Sequence, residues 1–263
     1  MKSRNTIYII ILICALYWVG SRYIFGVGKE HFKSSEIPLH IYQTWKTHDL
    51  PDNMQKCVDN LIEKNPEFTH HLYDDVDCYN FIKENFDPEV AEAYDTLIPG
   101  AFKADFWRCC ILYKKGGIYL DIKYSNVGDF KLIELTDKEY FVRDIEKSGG
   151  GIYNAFMICK PGNKHLDKCI RQMVENVKNR FYGHSLFSPT GPLLMSSQFT
   201  EAELEDIKNN GLGICTDGCP TQTCICRNGI PILNIYKEYY EKEVTTDIPR
   251  YHQLWDERKI YKP

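Results

Sequence analysis

The spacing of hydrophobic residues changes from a helical to an extended period within residues 101–125, AFKADFWRCCILYKKGGIYLDIKYS. In the first half of this segment apolar side chains recur every three or four positions, which predicts an amphipathic helix. Two consecutive glycines then end the helix, because glycine adopts the left-handed conformation without a steric penalty. The residues that follow alternate, so Tyr119, Asp121 and Lys123 are predicted on one face of a strand.

Asp105 and Arg108 lie three positions apart on the predicted helix and are therefore neighbours on its surface. Taken singly, such a pair or a charged strand face is usually in contact with water. Here the two features adjoin, and they place an aromatic ring, a carboxylate and an amine beside an Asp/Arg pair. We therefore interpret the segment as a candidate functional site.

Strand and helix patterns alternate over the first half of the remaining chain, which is typical of a parallel sheet with helices on its faces. We predict an α/β domain with a mostly parallel central sheet flanked by helices. Strands are predicted at 37–45, 68–73, 140–143 and 151–159, and helices at 51–62, 76–86, 88–97, 165–177, 192–199 and 201–207.

The N-terminal segment has the composition of a membrane anchor. Residues 5–21 contain no charged side chain, with Lys2 and Arg4 before them and Arg22 after them. A spanning helix needs roughly 20 apolar residues, with about 17 as the lower limit. No small-x-small cleavage site follows the apolar run, so an uncleaved signal anchor is favoured over a cleaved signal peptide.

This interpretation divides the chain into an anchor at 1–25, a short stem at 26–36 and a globular domain at 37–263. The positive charges before the apolar run predict a cytoplasmic N-terminus, and hence a single-pass type II protein with a lumenal domain.

Charge and missing motifs exclude other classes of function. The 263 residues carry a formal net charge of −4, and the basic residues are scattered, so no basic face for nucleic acid is expected. The sequence contains no G-x-S-x-G elbow, P-loop or H-E-x-x-H motif, so hydrolase and ATPase interpretations have no residues to support them.

Four cysteines form a C-x3-C-x4-C-x-C cluster at 215, 219, 224 and 226. Disulfides are favoured, since they suit a lumenal loop. Structural zinc is an alternative, although C-x-C is a poor metal knuckle. Free buried thiols are the third alternative.

The run D-x-x-R followed by GGIYLDIK resembles the DxD sugar-binding region of glycosyltransferase family 32. Other segments of that family have counterparts in the same order: Ile37-Pro38 with IYQTWK at 41–46, YNAFM at 153–157, TGP at 190–192, and Tyr251-His252 with Trp255. The resemblance covers about residues 37–255. It implies a GT-A type fold and transfer, with retention of configuration, of a hexose or N-acetylhexosamine from a nucleotide-diphosphate sugar to a glycan or glycoprotein acceptor.

The resemblance also implies roles for individual residues. Asp105 matches a residue that contacts the sugar or ribose, and Arg108 one on the sugar and phosphate side. Tyr119 and Asp121 match donor-side and metal-side residues. Trp45 matches an aromatic residue near the nucleotide base, where stacking is the physical reason for its presence.

Lys123 departs from the family pattern, because it stands where the second DxD carboxylate is expected. A charged ammonium cannot ligate the Mn or Mg ion that the resemblance implies. On a continuous strand Asp121 and Lys123 would lie roughly 6.5–7 Å apart.

Three outcomes are open for Lys123. It turns away and leaves the metal to Asp121, phosphates and His252, or its ammonium replaces the charge of the metal, or it is a surface residue. The altered motif also motivates an alternative function, a catalytically impaired protein that binds sugar nucleotides or acts as a scaffold.

Overall fold

Nine strands form one sheet in the part of the chain that the computed structural model describes, residues 35–144, 151–221, 223–240 and 251–263. They are β1 (His40–Thr44), β2 (Thr69–Tyr73), β3 (Gly117–Leu120), β4 (Tyr124–Asn126), β5 (Tyr140–Arg143), β6 (Ile152–Cys159), β7 (Leu212–Cys215), β8 (Cys224–Arg227) and β9 (Ile230–Ile235). Their order across the sheet is β2-β1-β3-β6-β5-β7-β8-β9-β4.

The helices follow the predicted pattern to within a few residues. Within the described ranges they are α1 (Asp52–Lys64), α2 (Asp75–Asn85), α3 (Pro88–Thr96), α4 (Gly100–Lys115), α5 (Lys164–Lys178), α6 (Pro192–Ser196), α7 (Glu201–Asn209) and α8 (Tyr251–Asp256). Short 3-10 helices lie at Leu132–Leu135 and Lys237–Tyr240. Side-chain caps begin several helices: Asp74 caps α2 and Thr200 caps α7, each as a reciprocal capping box.

The prediction of a mostly parallel sheet is wrong, because the sheet is mixed. Of the eight strand pairings in the described residues, three are parallel and five are antiparallel. The parallel part, β2-β1-β3, contains the helix-connected strands that the sequence pattern indicated. The remainder is mostly antiparallel. The turn at Asn228 and Gly229 between β8 and β9 has positive φ at both residues, as a tight hairpin requires.

The core lies on both faces of the sheet, and β3 contributes to each. Ile118 and Leu120 are buried in the cluster on one face, and Tyr119 is buried on the other, among the apolar residues of α4 such as Phe106 and Trp107. The predicted alternation is therefore confirmed as far as Leu120.

Beyond Leu120 the predicted strand breaks. Residues 121–123 form a turn in which the Tyr124 amide donates a hydrogen bond to the Asp121 carbonyl at 3.1 Å. β4 then pairs with β9, at the opposite end of the strand order from β3. The sheet must therefore curl, so that its β9–β4 edge lies near the carboxyl end of β3.

The predicted anchor, residues 1–25, and most of the stem lie outside the described residues. Among the residues that are described, no helix combines the length and the apolar character needed to cross a membrane.

The cysteine cluster resolves into one disulfide and two thiols. Cys215 and Cys226 are bonded and link β7 to β8. Cys219 and Cys224 are free, and the Sγ of Cys219 lies 3.7 Å from that of Cys215. The disulfide alternative therefore holds for one pair. Zinc is disfavoured, because sulfurs bonded to each other are not thiolate ligands.

The two glycines at the junction of α4 and β3, Gly116 and Gly117, are required by close backbone approaches. Gly116 has φ +64° and Gly117 has φ +106°, values that L side chains rarely adopt. A Cβ on Gly117 would stand 2.8 Å from the carbonyl oxygen of His40 in β1. This junction sets the distance between the end of α4 and the strand that carries Tyr119.

We predict that Gly117→Ala lowers the free energy of unfolding by about 2–4 kcal/mol, because strain at positive φ adds to an overpacked contact. Gly100→Ala is the matched control: a Cβ there meets nothing within 4 Å, and alanine favours a helix by up to about 1 kcal/mol over glycine. Urea unfolding compares the two, and equal midpoints for both variants would contradict this account of the junction.

Candidate active site

A cleft of about 840 Å³ opens where the parallel strands β1 and β3 end. It is lined by residues 44–46 at the end of β1, by residues 121–123 after β3 and by the first half of α4. In the sheet β1 lies between β2 on one side and β3 on the other, so the strand order reverses direction at β1. Such a switch point, at the carboxyl ends of parallel strands, is where open α/β sheets bind ligands.

Asp105 is held in the cleft wall by donors from two other elements. The Asn154 amide of β6 donates to its Oδ1 at 2.9 Å, and the Thr190 hydroxyl donates to its Oδ2 at 2.9 Å. Burial raises the pKa of Asp105, although Arg108 and the two donors oppose that shift. The surroundings of Asp105 therefore accommodate the carboxyl group but do not stabilise its ionised form.

Arg108 joins the two carboxylates of the site. Its guanidinium lies 3.5 Å from Oδ1 of Asp105 and 3.3 Å from Oδ1 of Asp121. The same group donates to the Asn154 carbonyl at 2.9 Å and stacks over the Tyr119 ring, 4.4 Å from its centroid. Only 5% of the residue is exposed. The predicted Asp/Arg pair is thus confirmed as a contact, but it is buried and fixed from several sides.

Asp121 accepts hydrogen bonds at both oxygens. The Tyr119 hydroxyl donates to Oδ1 at 2.8 Å, and the Lys123 ammonium lies 2.8 Å from Oδ2. Burial acts to raise the pKa of Asp121, but the charges of Lys123 and Arg108 outweigh it and the pKa is lowered. Asp121 is therefore an ionised carboxylate at neutral pH.

Lys123 does not lie along a strand at the predicted separation from Asp121. The turn at 121–123 folds its side chain back onto the same carboxylate. With 18% of its side chain exposed, it is not a surface residue either. Burial opposes its charge, yet the pKa of Lys123 is raised because Asp121 stabilises the ammonium. The structure thus keeps a cation at the position of the second motif carboxylate.

Trp45 and Tyr239 line the cleft near Lys123. Both pack against the small apolar cluster that contains Ile122, and the Lys123 ammonium lies 5.8 Å from the Tyr239 ring centroid. The indole Nε1 of Trp45 is buried without a hydrogen-bond partner among the described residues. No motif of the sequence indicates Tyr239, which lies in the 3-10 helix directly after β9.

Asn154 and Thr190 are further site residues that sequence reasoning did not assign. Each stands in a segment that resembles the family, YNAFM and TGP. A polar residue within a strand as apolar as β6 is a signal in itself, because a buried amide needs partners. Here those partners are Asp105 and Arg108.

His252 is not brought together with Asp121. It lies in α8, whose neighbouring residue Tyr251 lines the cleft, whereas His252 is absent from the described lining. The prediction of His252 as a metal ligand therefore has no support in the geometry.

A divalent ion does not fit at Asp121. Mg²⁺ and similar ions need about six oxygen ligands at roughly 2.0–2.1 Å. The atoms around this carboxylate belong instead to an ammonium, a guanidinium and a phenol that donates. Within the described ranges, groups of three ligand atoms occur among the cysteines of the cluster and at His48, Asp74 and Asp77, but not at Asp121.

Comparison with known proteins finds a family match that includes Asp105, Arg108, Asp121 and Lys123. Residues 51–140 match the family described as "Glycosyltransferase sugar-binding region containing DXD motif". Inositol phosphoceramide mannosyltransferase 3 of Schizosaccharomyces pombe is 31% identical over 166 residues, covering 62% of this chain and 45% of that protein. The initiation-specific alpha-1,6-mannosyltransferase of Candida albicans is 34% identical over 96 residues, covering 34% of this chain and 25% of that protein.

The chain thus spans less than half the length of these two relatives. Among solved structures, the PaToxG glycosyltransferase superposes with a TM-score of 0.52 at 14% identity, over 66% of this chain and 74% of that one. This likeness shows a glycosyltransferase-like α/β fold. The resemblance inferred from the sequence motifs is confirmed.

We predict that Asp121→Asn lowers the free energy of unfolding at pH 7 by about 3 kcal/mol, the lower end of the range for breaking a buried ion pair. The carboxamide leaves the Lys123 ammonium without an anionic partner and leaves Arg108 with Asp105 alone. Asp105→Asn is the matched control and should change stability by about 1 kcal/mol or less, because the fold does not favour the charge of Asp105.

The pH dependence separates the two variants. A lowered pKa means that Asp121 stabilises the fold above its unfolded pKa of about 3.8, and that this contribution is lost as pH falls through the folded pKa. The difference between wild type and Asp121→Asn should therefore shrink below pH 3.8. A larger loss for Asp105→Asn than for Asp121→Asn at pH 7 would contradict this electrostatic assignment.

Proposed function

This chain carries a glycosyltransferase sugar-binding region of the DXD type, and we propose on that premise that it transfers a hexose from a nucleotide-diphosphate sugar to a hydroxyl group of a glycan or glycoprotein. The observation that carries the proposal is the partly buried array Asp105–Arg108–Asp121–Lys123 near the carboxyl ends of β1 and β3. Alternating carboxylates and cations suit a ligand that presents hydroxyl groups and phosphates together.

The donor would lie across the cleft with its parts matched to different walls. Trp45 and Tyr239 offer aromatic faces for the nucleotide base. Asp105 would accept hydrogen bonds from ribose or sugar hydroxyls. Arg108 and Lys123 supply positive charge for the diphosphate.

In the transfer, the bond between the anomeric carbon and the diphosphate oxygen breaks, and its electron pair goes to the diphosphate. The acceptor oxygen forms the new bond to the anomeric carbon, and its proton passes to the departing diphosphate. Negative charge therefore builds on the leaving group, and positive groups held in place beforehand stabilise it. By the resemblance, the transfer retains the anomeric configuration.

Mannose is the sugar we propose to test first, because two of the similar proteins are named as mannosyltransferases. The acceptor would lie against apolar lining residues of the cleft, which include Ile98, Phe102, Phe187 and Tyr251. Such a wall suits the face of a sugar ring or an apolar part of the acceptor.

We include in the proposal an N-terminal anchor at 1–25 and a lumenal, type II orientation, on the basis of the uncharged run 5–21. The full chain should stay in the membrane fraction after alkaline carbonate extraction. Release, with a new N-terminus beyond the apolar run, would indicate a cleaved signal peptide instead.

We predict that Asp105→Asn and Asp121→Asn each lower turnover by about 10²-fold or more, as loss of a positioned electrostatic group does. The assay follows sugar transfer and donor hydrolysis by the purified full chain, with GDP-mannose, UDP-glucose and UDP-N-acetylglucosamine as donors, at a temperature where every variant is folded. Asp206→Asn, an exposed change on α7, is the control and should keep wild-type turnover.

Unchanged turnover in both site variants would exclude this cleft as the site. The alternative function, a catalytically impaired binding protein, is motivated by the Asp121–Lys123 pair. It predicts that a sugar nucleotide raises the melting temperature of the wild type while no transfer or hydrolysis is detected with any donor.

A further inference from the structure

We propose that Lys123 takes the place of a divalent cation at the donor diphosphate, so that this protein binds its nucleotide sugar without a metal. The inference rests on the proposed function, since it concerns how the same cleft holds the same donor. A DXD motif would place a second carboxylate at position 123, whereas here the ammonium of Lys123 contacts Asp121.

The net charge of the site supports replacement of an aspartate and its divalent ion by one lysine. In a DXD site the second aspartate and its divalent ion together carry a net charge of +1. A lysine at that position carries the same charge in one covalently held group. The array of Asp105, Arg108, Asp121 and Lys123 then has the net charge of zero that a complete DXD site with its metal would have.

The Lys123 side chain also places its charge about as far from the backbone as an aspartate places a bound metal ion. An aspartate holds its metal about 2.1 Å beyond the carboxylate oxygen, so the charge stands well away from the backbone. Lysine places its ammonium at the end of a four-carbon stem. In this structure Lys123 is one of the residues that line the cleft.

The surroundings of Lys123 hold its charge in place. Asp121 contacts the ammonium at 2.8 Å, and the rings of Tyr124 and Tyr239 lie 5.6 and 5.8 Å from it. One carboxylate oxygen uses one of the three N–H donors of an ammonium, which leaves donors for phosphate oxygens that enter the cleft. Asp121 thus serves as a positioning residue for the cation rather than as a metal ligand.

The charged residues that line the cleft include no excess of carboxylates that would attract a metal ion. The described lining contains four basic and four acidic side chains: Lys46, Lys103, Arg108 and Lys123, and Asp75, Asp105, Asp121 and Asp144. A divalent ion at Oδ2 of Asp121 would meet the Lys123 ammonium at short range, where like charges repel strongly in a partly dry cleft.

The test measures binding of nucleotide sugars and of GDP and UDP to the full chain by calorimetry, once in EDTA and once in manganese. We expect the wild-type dissociation constant to agree within about twofold between the two conditions. Lys123→Ala should weaken binding by about 10- to 100-fold in both, the range for losing a charge-assisted hydrogen bond. Lys168→Ala, an exposed change on α5, is the matched control and should bind as the wild type does.

Two further variants keep the test decisive if Lys123→Ala folds poorly. Lys123→Arg keeps a cation and should retain binding in EDTA. Lys123→Asp restores the DXD motif, so its binding should be weak in EDTA and recover at least about tenfold in manganese, with manganese itself detected on the protein by electron paramagnetic resonance.

The outcomes separate this inference from the proposed function. If EDTA abolishes wild-type binding and manganese restores it, or if Lys123→Ala binds normally, the role of Lys123 is wrong while the proposed function stands. If the folded wild type binds no nucleotide or nucleotide sugar under either condition, the proposed function itself fails.

Discussion

The structure of the cleft depends on mutual neutralisation between two partly buried carboxylates, a buried guanidinium and a partly buried ammonium. Arg108 contacts both Asp105 and Asp121, and Lys123 contacts Asp121 from the other side. Removing charges from water is unfavourable unless each finds a partner, so these side chains hold one another in place. Because Asn154 and Thr190 also bind Asp105, the array ties α4, β3, β6 and the segment before α6 to a single geometry.

The backbone makes this array possible through two local features on either side of β3. The glycine pair at the start of β3 permits the close passage past β1, and the turn after the strand returns Lys123 to Asp121. The same turn directs β4 to the far edge of the sheet, and the curl that results brings Tyr239 to the cleft. A short segment with unusual backbone therefore places both the charged groups and an aromatic wall.

Features with a local signal were predictable, and features that depend on distant contacts were not. Apolar periodicity and the glycine stop predicted α4, β3 and the Asp105–Arg108 contact. The alternation after the glycines predicted a strand through Lys123, because a turn with no glycine or proline carries no breaker signal. The hairpin at Asn228-Gly229 did carry a signal that was missed, and this accounts for one of the five antiparallel pairings. The motif resemblance suggested His252, but only long-range packing decides which residue of α8 lines the cleft.

The central claim is that Asp121 and Lys123 act as one electrostatic unit, and a double-mutant cycle measures it most directly. Unfolding free energies at pH 7 would be compared for the wild type, Asp121→Asn, Lys123→Met and the double variant. Our account predicts a coupling energy of at least about 1 kcal/mol, with the double variant more stable than Asp121→Asn, because neither charge is then left unpaired. Effects that add to within about 0.5 kcal/mol would show that the two side chains are independent and would contradict the account.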